Sequence, residues 1–116
     1  MHVDKIVAIL NQYSFNYSSE DELQTAIAGA LKDAGILVTR EVDLDKHNRI
    51  DILIERIGIE IKINGSLSAI ERQLLRYAKS PLIDSLILIT TKSKHCNVAK
   101  TLAGKPIYLY SLFGSF

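Results

Sequence analysis

The sequence predicts a mixed α/β domain, a mixed sheet of the α+β kind with helices on both faces. Three observations predict it. Apolar residues recur at helical spacing from Val3 to Ala34. From Ile36 to Ile63 the period falls to two, the signature of half-buried strands. Leu86-Ile87-Leu88-Ile89 is then apolar at every position, as a strand covered by helices on both sides must be.

Each element follows in turn. Val3, Ile6, Val7 and Leu10 predict a short opening helix, and Ser14 to Ser18 reads as an irregular polar link. A second helix starts after Ser19, buries Leu23, Ile27, Leu31 and Ala34, and ends at Gly35 as a left-handed cap. Ile36 to Leu44 and Arg49 to Glu55 read as paired strands joined by the turn Asp45-Lys46-His47-Asn48. Gly58 breaks the pattern ahead of a third strand, Ile59 to Ile63. Asn64-Gly65-Ser66 turns the chain, and Ser66 or Ser68 caps a helix that buries Leu67, Ile70, Leu74 and Tyr77 and stops before Pro81. After the apolar strand, Asn97 to Leu102 predicts a further helix and Ile107 to Tyr110 a last strand. The order is α, α, β, β, β, α, β, α, β. A meander followed by a helical crossover to a buried strand makes the sheet mixed.

One domain, residues 1–116, accounts for all of this, since no repeat, linker or low-complexity tract divides the chain. With 47% apolar and 23% charged residues it reads as globular rather than disordered. No apolar run approaches the roughly 20 residues of a bilayer span, so no membrane partner is expected. Cys96 is the single cysteine, which excludes an internal disulfide and a cysteine-built zinc cage. The opening Met1-His2-Val3-Asp4-Lys5 lacks the basic region and apolar core of a secretory signal. The expectation is a reduced, cytoplasmic protein.

The net charge of +1 conceals a division. Residues 1–65 carry seven basic and eleven acidic side chains, and residues 66–116 seven basic and two acidic. Such a split suits a chain that gathers carboxylates in one place and offers cations to an anion in another, although a solvated surface accounts for it equally well.

The chemistry concentrates in Arg49-Ile50-Asp51-Ile52-Leu53-Ile54 and Gly58-Ile59-Glu60-Ile61-Lys62-Ile63. Alternation leaves Asp51 on the face opposite Ile50, Ile52 and Ile54, and puts Glu60 and Lys62 on one face opposite Ile59, Ile61 and Ile63. If the two strands pair through the turn near Gly58, Asp51 approaches Glu60. Two converging carboxylates call for a hard divalent ion such as Mg2+. A lysine on the same face is placed to position a water or to balance charge on a phosphate. By itself a Glu-x-Lys also marks the wet face of an ordinary amphipathic strand.

These residues resemble the motif of the PD-(D/E)XK nuclease superfamily, the restriction-endonuclease-like fold: an Asp opening one strand, here Asp51, and a Glu-x-Lys on the next, here Glu60-Ile61-Lys62. The family's αβββαβ core is similar to the order read for residues 20–91. Ile50 stands where the family's motif usually has proline, a substitution the superfamily tolerates. Many members carry a Glu on the preceding helix. Glu22 is the leading equivalent and Glu20 the second, although Ser19-Glu20-Asp21-Glu22 is also a capping box. Gln73-Leu74-Leu75-Arg76-Tyr77 resembles the Gln-x-x-x-Tyr motif of the exonuclease-like and helicase-associated members, and i, i+4 spacing points Gln73 and Tyr77 to one region.

The resemblance implies a metal-dependent deoxyribonuclease, most simply an endonuclease, with Mg2+ as cofactor and Mn2+ as a substitute. It implies that Asp51, Glu60, the Ile61 carbonyl and Glu22 hold the metal. Lys62 would orient or activate water, and Gln73 and Tyr77 would support Lys62 or the phosphate. Arg72 and Arg76 on the Gln73 helix, and Lys92 and Lys94 after the buried strand, are the candidate DNA contacts, with Lys79, His95, Lys100 and Lys105 nearby. His47 and His95 have no partner spacing for a metal. The expected partner is DNA. A homodimer follows if the substrate is a junction that needs two nicks, and ordinary duplex or a dependence on a protein partner stay open. The alternative is a catalytically silent module of the same fold that binds DNA or a protein. A third reading, an accidental motif, requires Asp51 and Glu60 to lie far apart.

Overall fold

The computed structural model describes residues 1–112. Helices α1 (Val3–Leu10) and α2 (Glu20–Asp33) come first, followed by the strands β1 (Thr39–Asp43), β2 (Arg49–Ile54) and β3 (Ile57–Lys62). Helix α3 (Leu67–Ala78) leads to β4 (Ser85–Thr90), a 3-10 turn at Ser93–His95, β5 (Thr101–Leu102) and β6 (Lys105–Ser111). The six strands form one sheet in the order β1-β2-β3-β4-β6-β5. The β1-β2-β3 meander is antiparallel, while β3, β4 and β6 run parallel. Mixed pairing is therefore observed, and β4, buried along its whole length, lies inside the sheet.

Two cores flank the sheet. On one face, Ile6, Leu10, Leu23, Ile27 and Leu31 from α1 and α2 pack on Ile52, Ile54, Ile59, Ile61, Ile87 and Ile89. On the other, Ile70, Leu74 and Tyr77 from α3 pack on Ile50, Leu86 and Leu88. Helix starts follow their caps: Ser19 accepts from the Glu22 amide at 3.1 Å, and Ser66, rather than Ser68, accepts from the Ala69 amide at 3.2 Å. Gly35 takes φ +86° after α2, and the Ile36 amide returns to the Leu31 carbonyl at 3.1 Å. No described helix is long and apolar enough to cross a membrane.

Three expectations change. No helix spans Asn97 to Leu102. Thr101 and Leu102 pair with Pro106 and Lys105 across a two-residue turn in which Ala103 and Gly104 both take positive φ. The Ala99 amide is held instead by the Glu71 carboxylate at 2.8 Å, so this stretch answers to α3 and not to its own helical pattern. Gly58 does not break a strand but lies within β3. A Cβ there would stand 2.3 Å from Ile50 Cδ1 and 2.8 Å from Leu86 Cδ2, so glycine is what lets the sheet close against α3. Finally, Ile50 does not share a face with Ile52 and Ile54, a slip that shapes the site.

Candidate active site

The β1–β2 register places Arg40 opposite Ile52 and Val42 opposite Ile50, so Glu41 and Asp51 face each other between them. Both strands change face there. Ile52 and Ile54 pack under α1 and α2, whereas Ile50 and Val42 pack under α3. Glu41 takes φ 53°, a left-handed conformation unusual for a residue with a side chain. On its other side, the regular β2–β3 pairing runs from Ile54–Ile57 to Ile52–Ile59. Beyond it, side chains carry the hydrogen bonds. The Ile61 amide donates to Asp51 Oδ2 at 2.9 Å, and the Asp51 amide donates to Glu60 Oε1 at 3.3 Å.

Asp51 and Glu60 are therefore neighbours, which removes the accidental-motif reading's requirement. Glu60 is 3% exposed and its Oε2 lies 3.4 Å from Lys62 Nζ. Burial pushes Asp51 up to about 6. Burial, with the Asp51 charge added to it, pushes Glu60 up to about 8. Lys62 opposes both shifts. The site thus holds two carboxylates that resist being charged together.

Gln73 and Tyr77 join this group as the i, i+4 spacing requires. Gln73 Nε2 donates to the Tyr77 hydroxyl at 2.7 Å, which supplies the partner a half-buried amide needs. Tyr77 donates to the Arg49 carbonyl at 2.8 Å and lies 3.3 Å from Glu60 Oε2. Its hydroxyl is held above its ordinary value by burial and by the neighbouring carboxylates. The pair therefore supports Glu60 and the start of β2 rather than Lys62.

Glu22 does not join. It is exposed at the start of α2, where it accepts from the Ser18 hydroxyl and serves the helix end. Glu20, two residues earlier, turns inward: its Oε1 accepts from the Ile63 amide at 3.0 Å. Glu20, Glu41 and Asp51 border a cavity of about 220 Å³ together with Asp21 and Gln24, and the charges of Glu41 and Glu20 both raise Asp51.

Gln24 has no place in the motif yet anchors it. It is 4% exposed, its Nε2 donates to the Asp51 carbonyl at 3.0 Å, and its Oε1 accepts from Arg40 at 2.9 Å. A polar residue beside Leu23 and Ile27 on the buried side of α2 is the signal that would have found it.

The basic residues divide. Lys92, Lys94 and Lys100 are exposed after β4, and Arg72 is exposed on α3. Arg76 is exposed but its Nε donates to Asn48 at 3.1 Å. Lys105 is committed to the Ser80 carbonyl at 2.8 Å. His95 is fully buried between Thr90 and the Gly65 carbonyl and ties the end of β4 to the start of α3.

Among the described residues, no three His, Cys, Asp or Glu side chains gather closely enough to hold a metal unaided. Asp51 and Glu60 still fit a divalent ion, because their mutual repulsion is what a cation between them would relieve. Two carboxylates and a backbone carbonyl, with water and phosphate completing the set, are a ligand pattern Mg2+ accepts. No family model, no curated protein and no solved structure matches the chain.

Proposed function

We propose that this chain is a divalent-metal-dependent DNA phosphodiesterase of the PD-(D/E)XK type, acting as an endonuclease. The supporting observation is the meeting of Asp51, Glu60 and Lys62 where the β2–β3 ladder gives way to side-chain hydrogen bonds. The order α2-β1-β2-β3-α3-β4 supports the restriction-endonuclease-like core.

Asp51, Glu60 and the Ile61 carbonyl would hold Mg2+ or Mn2+, with Glu20, rather than the Glu22 that the resemblance favoured, as the α2 carboxylate turned toward Asp51. A bound ion supplies charge neutralisation at the phosphate and a more acidic water. The chain's own part is positional. Gln24 fixes the Asp51 backbone, and Tyr77 with Gln73 fixes Glu60. Lys62 Nζ, paired with Glu60 at 3.4 Å, would orient the attacking water or balance charge on the phosphate. Exposed Lys92, Lys94 and Arg72 would hold the DNA backbone through phosphates.

The test is a cleavage assay on supercoiled plasmid, linear duplex, single strand and four-way junction, with Mg2+, Mn2+ or EDTA. Metal-dependent cutting by wild type and none by Lys62→Ala is expected. One observation favours a second reading, a silent DNA- or protein-binding module: Asp51, Glu60 and Lys62 already satisfy one another. Well-folded protein that cuts nothing and gains no thermal stability from Mg2+ would establish it.

A further inference from the structure

A groove of about 640 Å³ lies between the Tyr13–Tyr17 segment and the end of β6. Tyr13, Phe15, Tyr17 and Tyr110 line it, and every other described lining residue is a neutral amide, a hydroxyl or a leucine. Tyr13 and Tyr17 are 42% and 39% exposed, so both are open to solvent at the groove. Tyr13 stacks on Phe15 at 5.9 Å between centroids, and the Tyr110 hydroxyl donates to Asn11 at 2.8 Å, so the walls are held in place.

The lining limits the ligand. A groove whose described lining carries no formal charge offers no ion pair to a bare phosphate or a carboxylate. Flat rings with amides and hydroxyls between them suit a neutral planar heteroaromatic that carries its own donors and acceptors, which describes a nucleobase. Among the described residues, charge begins beyond the groove. Thr91 lines it, and exposed Lys92 follows, placed to meet a backbone phosphate.

The groove also adjoins the candidate active site. The Thr91 amide donates to the Lys62 carbonyl at 3.4 Å. On the other side, Tyr17 stands three residues before Glu20, which holds the Ile63 amide. Groove and site thus lie at the same end of the sheet, where β3, β4 and β6 finish, and a strand presented to Asp51, Glu60 and Lys62 would reach the groove by passing the ends of β3 and β4.

We propose that this groove receives unpaired bases of the DNA strand presented to Asp51, Glu60 and Lys62, so that the substrate is DNA with a single-stranded segment. The inference rests on the nuclease reading for its substrate, but its test reads binding alone. Fluorescence anisotropy in EDTA would compare a labelled single strand, an abasic strand of equal length and a blunt duplex. Wild type should bind the single strand about tenfold more tightly than the abasic strand, since each stacked base is worth a factor of this order. Tyr13→Ala with Tyr17→Ala should remove that difference and leave duplex binding unchanged. Tyr13→Phe with Tyr17→Phe should restore it, because the ring and not the hydroxyl does the stacking.

Equal affinity of wild type for the single and abasic strands would overturn the groove proposal without touching the nuclease reading. So would an equal loss on all three DNAs in the alanine variant. Base-dependent binding by a protein that never cuts would uphold the groove and sink the nuclease reading.

Discussion

Glu41 and Asp51 stand opposite each other at the point where β1 and β2 both change face. The left-handed φ of 53° at Glu41 is the local cause on β1, and the side-chain hydrogen bonds of Asp51 and Glu60 replace the regular ladder on the β3 side. Backbone irregularity held in place by its surroundings is characteristic of functional sites. Here it brings Asp51 within reach of the Glu60 strand while Ile50 is spent on the α3 core.

Gly58→Ala tests the closeness on which this depends. The new methyl would meet Ile50, Leu86 and Ile83 side chains at 2.3–2.9 Å. Overpacking of this kind costs roughly 1–3 kcal/mol. Urea unfolding should show that loss, and cleavage should fall with it because Ile50 adjoins Asp51. A variant as stable as wild type would mean that the α3 face has room to yield.

Lys62→Ala should abolish cleavage while leaving DNA affinity within about twofold, since exposed Lys92, Lys94 and Arg72 would still hold the backbone. The fold should persist, because Glu60 can remain protonated when its ammonium partner is gone. Plasmid cleavage, anisotropy and circular dichroism check the three parts. Undiminished cutting would falsify the assigned role.

The raised carboxylates make a pH prediction. The folded values, about 6 for Asp51 and about 8 for Glu60, lie above the ordinary 3.8 and 4.5. The folded state therefore binds protons that the unfolded state has released, and metal-free stability falls as pH rises from about 4 to about 8. Glu60→Gln should flatten most of the slope, and Mg2+ should stabilise wild type at pH 8 but not Glu60→Ala. Denaturant titrations in EDTA at several pH values measure this, and a stability that rises with pH would contradict the burial of the pair.

Glu20 and Glu22 separate by substitution. Glu20→Gln weakens the acceptor for the Ile63 amide and removes a charge facing Asp51, so it should lower both Mg2+-dependent stabilisation and cutting. Glu22→Gln should leave both unchanged, its carboxylate being exposed and turned to Ser18. The reverse order would restore Glu22 to the site.

Tyr77→Phe should cost about 1–2 kcal/mol, as the part-buried bonds to the Arg49 carbonyl and the Gln73 amide are lost. Cutting should weaken without vanishing, because the tyrosine touches Glu60 and not the phosphate. Thermal unfolding and single-turnover rates report the two effects separately.

Much of this was legible in the residues alone. The 3.6 and 2.0 periods marked α1, α2, the meander and α3, and the unbroken apolar run marked β4 as interior, because burial on one face or two leaves a direct trace in composition. Asp51, Glu60 and Lys62 were legible as a group because a short meander leaves their strands no choice but to pair. Gln73 and Tyr77 were singled out by their resemblance to the Gln-x-x-x-Tyr motif, and helical spacing turned them to one side.

Tertiary contact decided the rest. Alternation put Asp51 opposite Ile50, Ile52 and Ile54, and only the paired turn of β1 and β2 at Glu41 and Asp51 sends Ile50 to the α3 face. Helical phase at a capped start does not say which of Glu20 and Glu22 turns inward; the Ile63 amide, 43 residues away, selects Glu20. Residues 97–102 carried a helical pattern, but Glu71 and the Ala103-Gly104 turn claim their backbone. A sequence records which faces are buried, whereas partners distant along the chain determine which polar group completes a buried site.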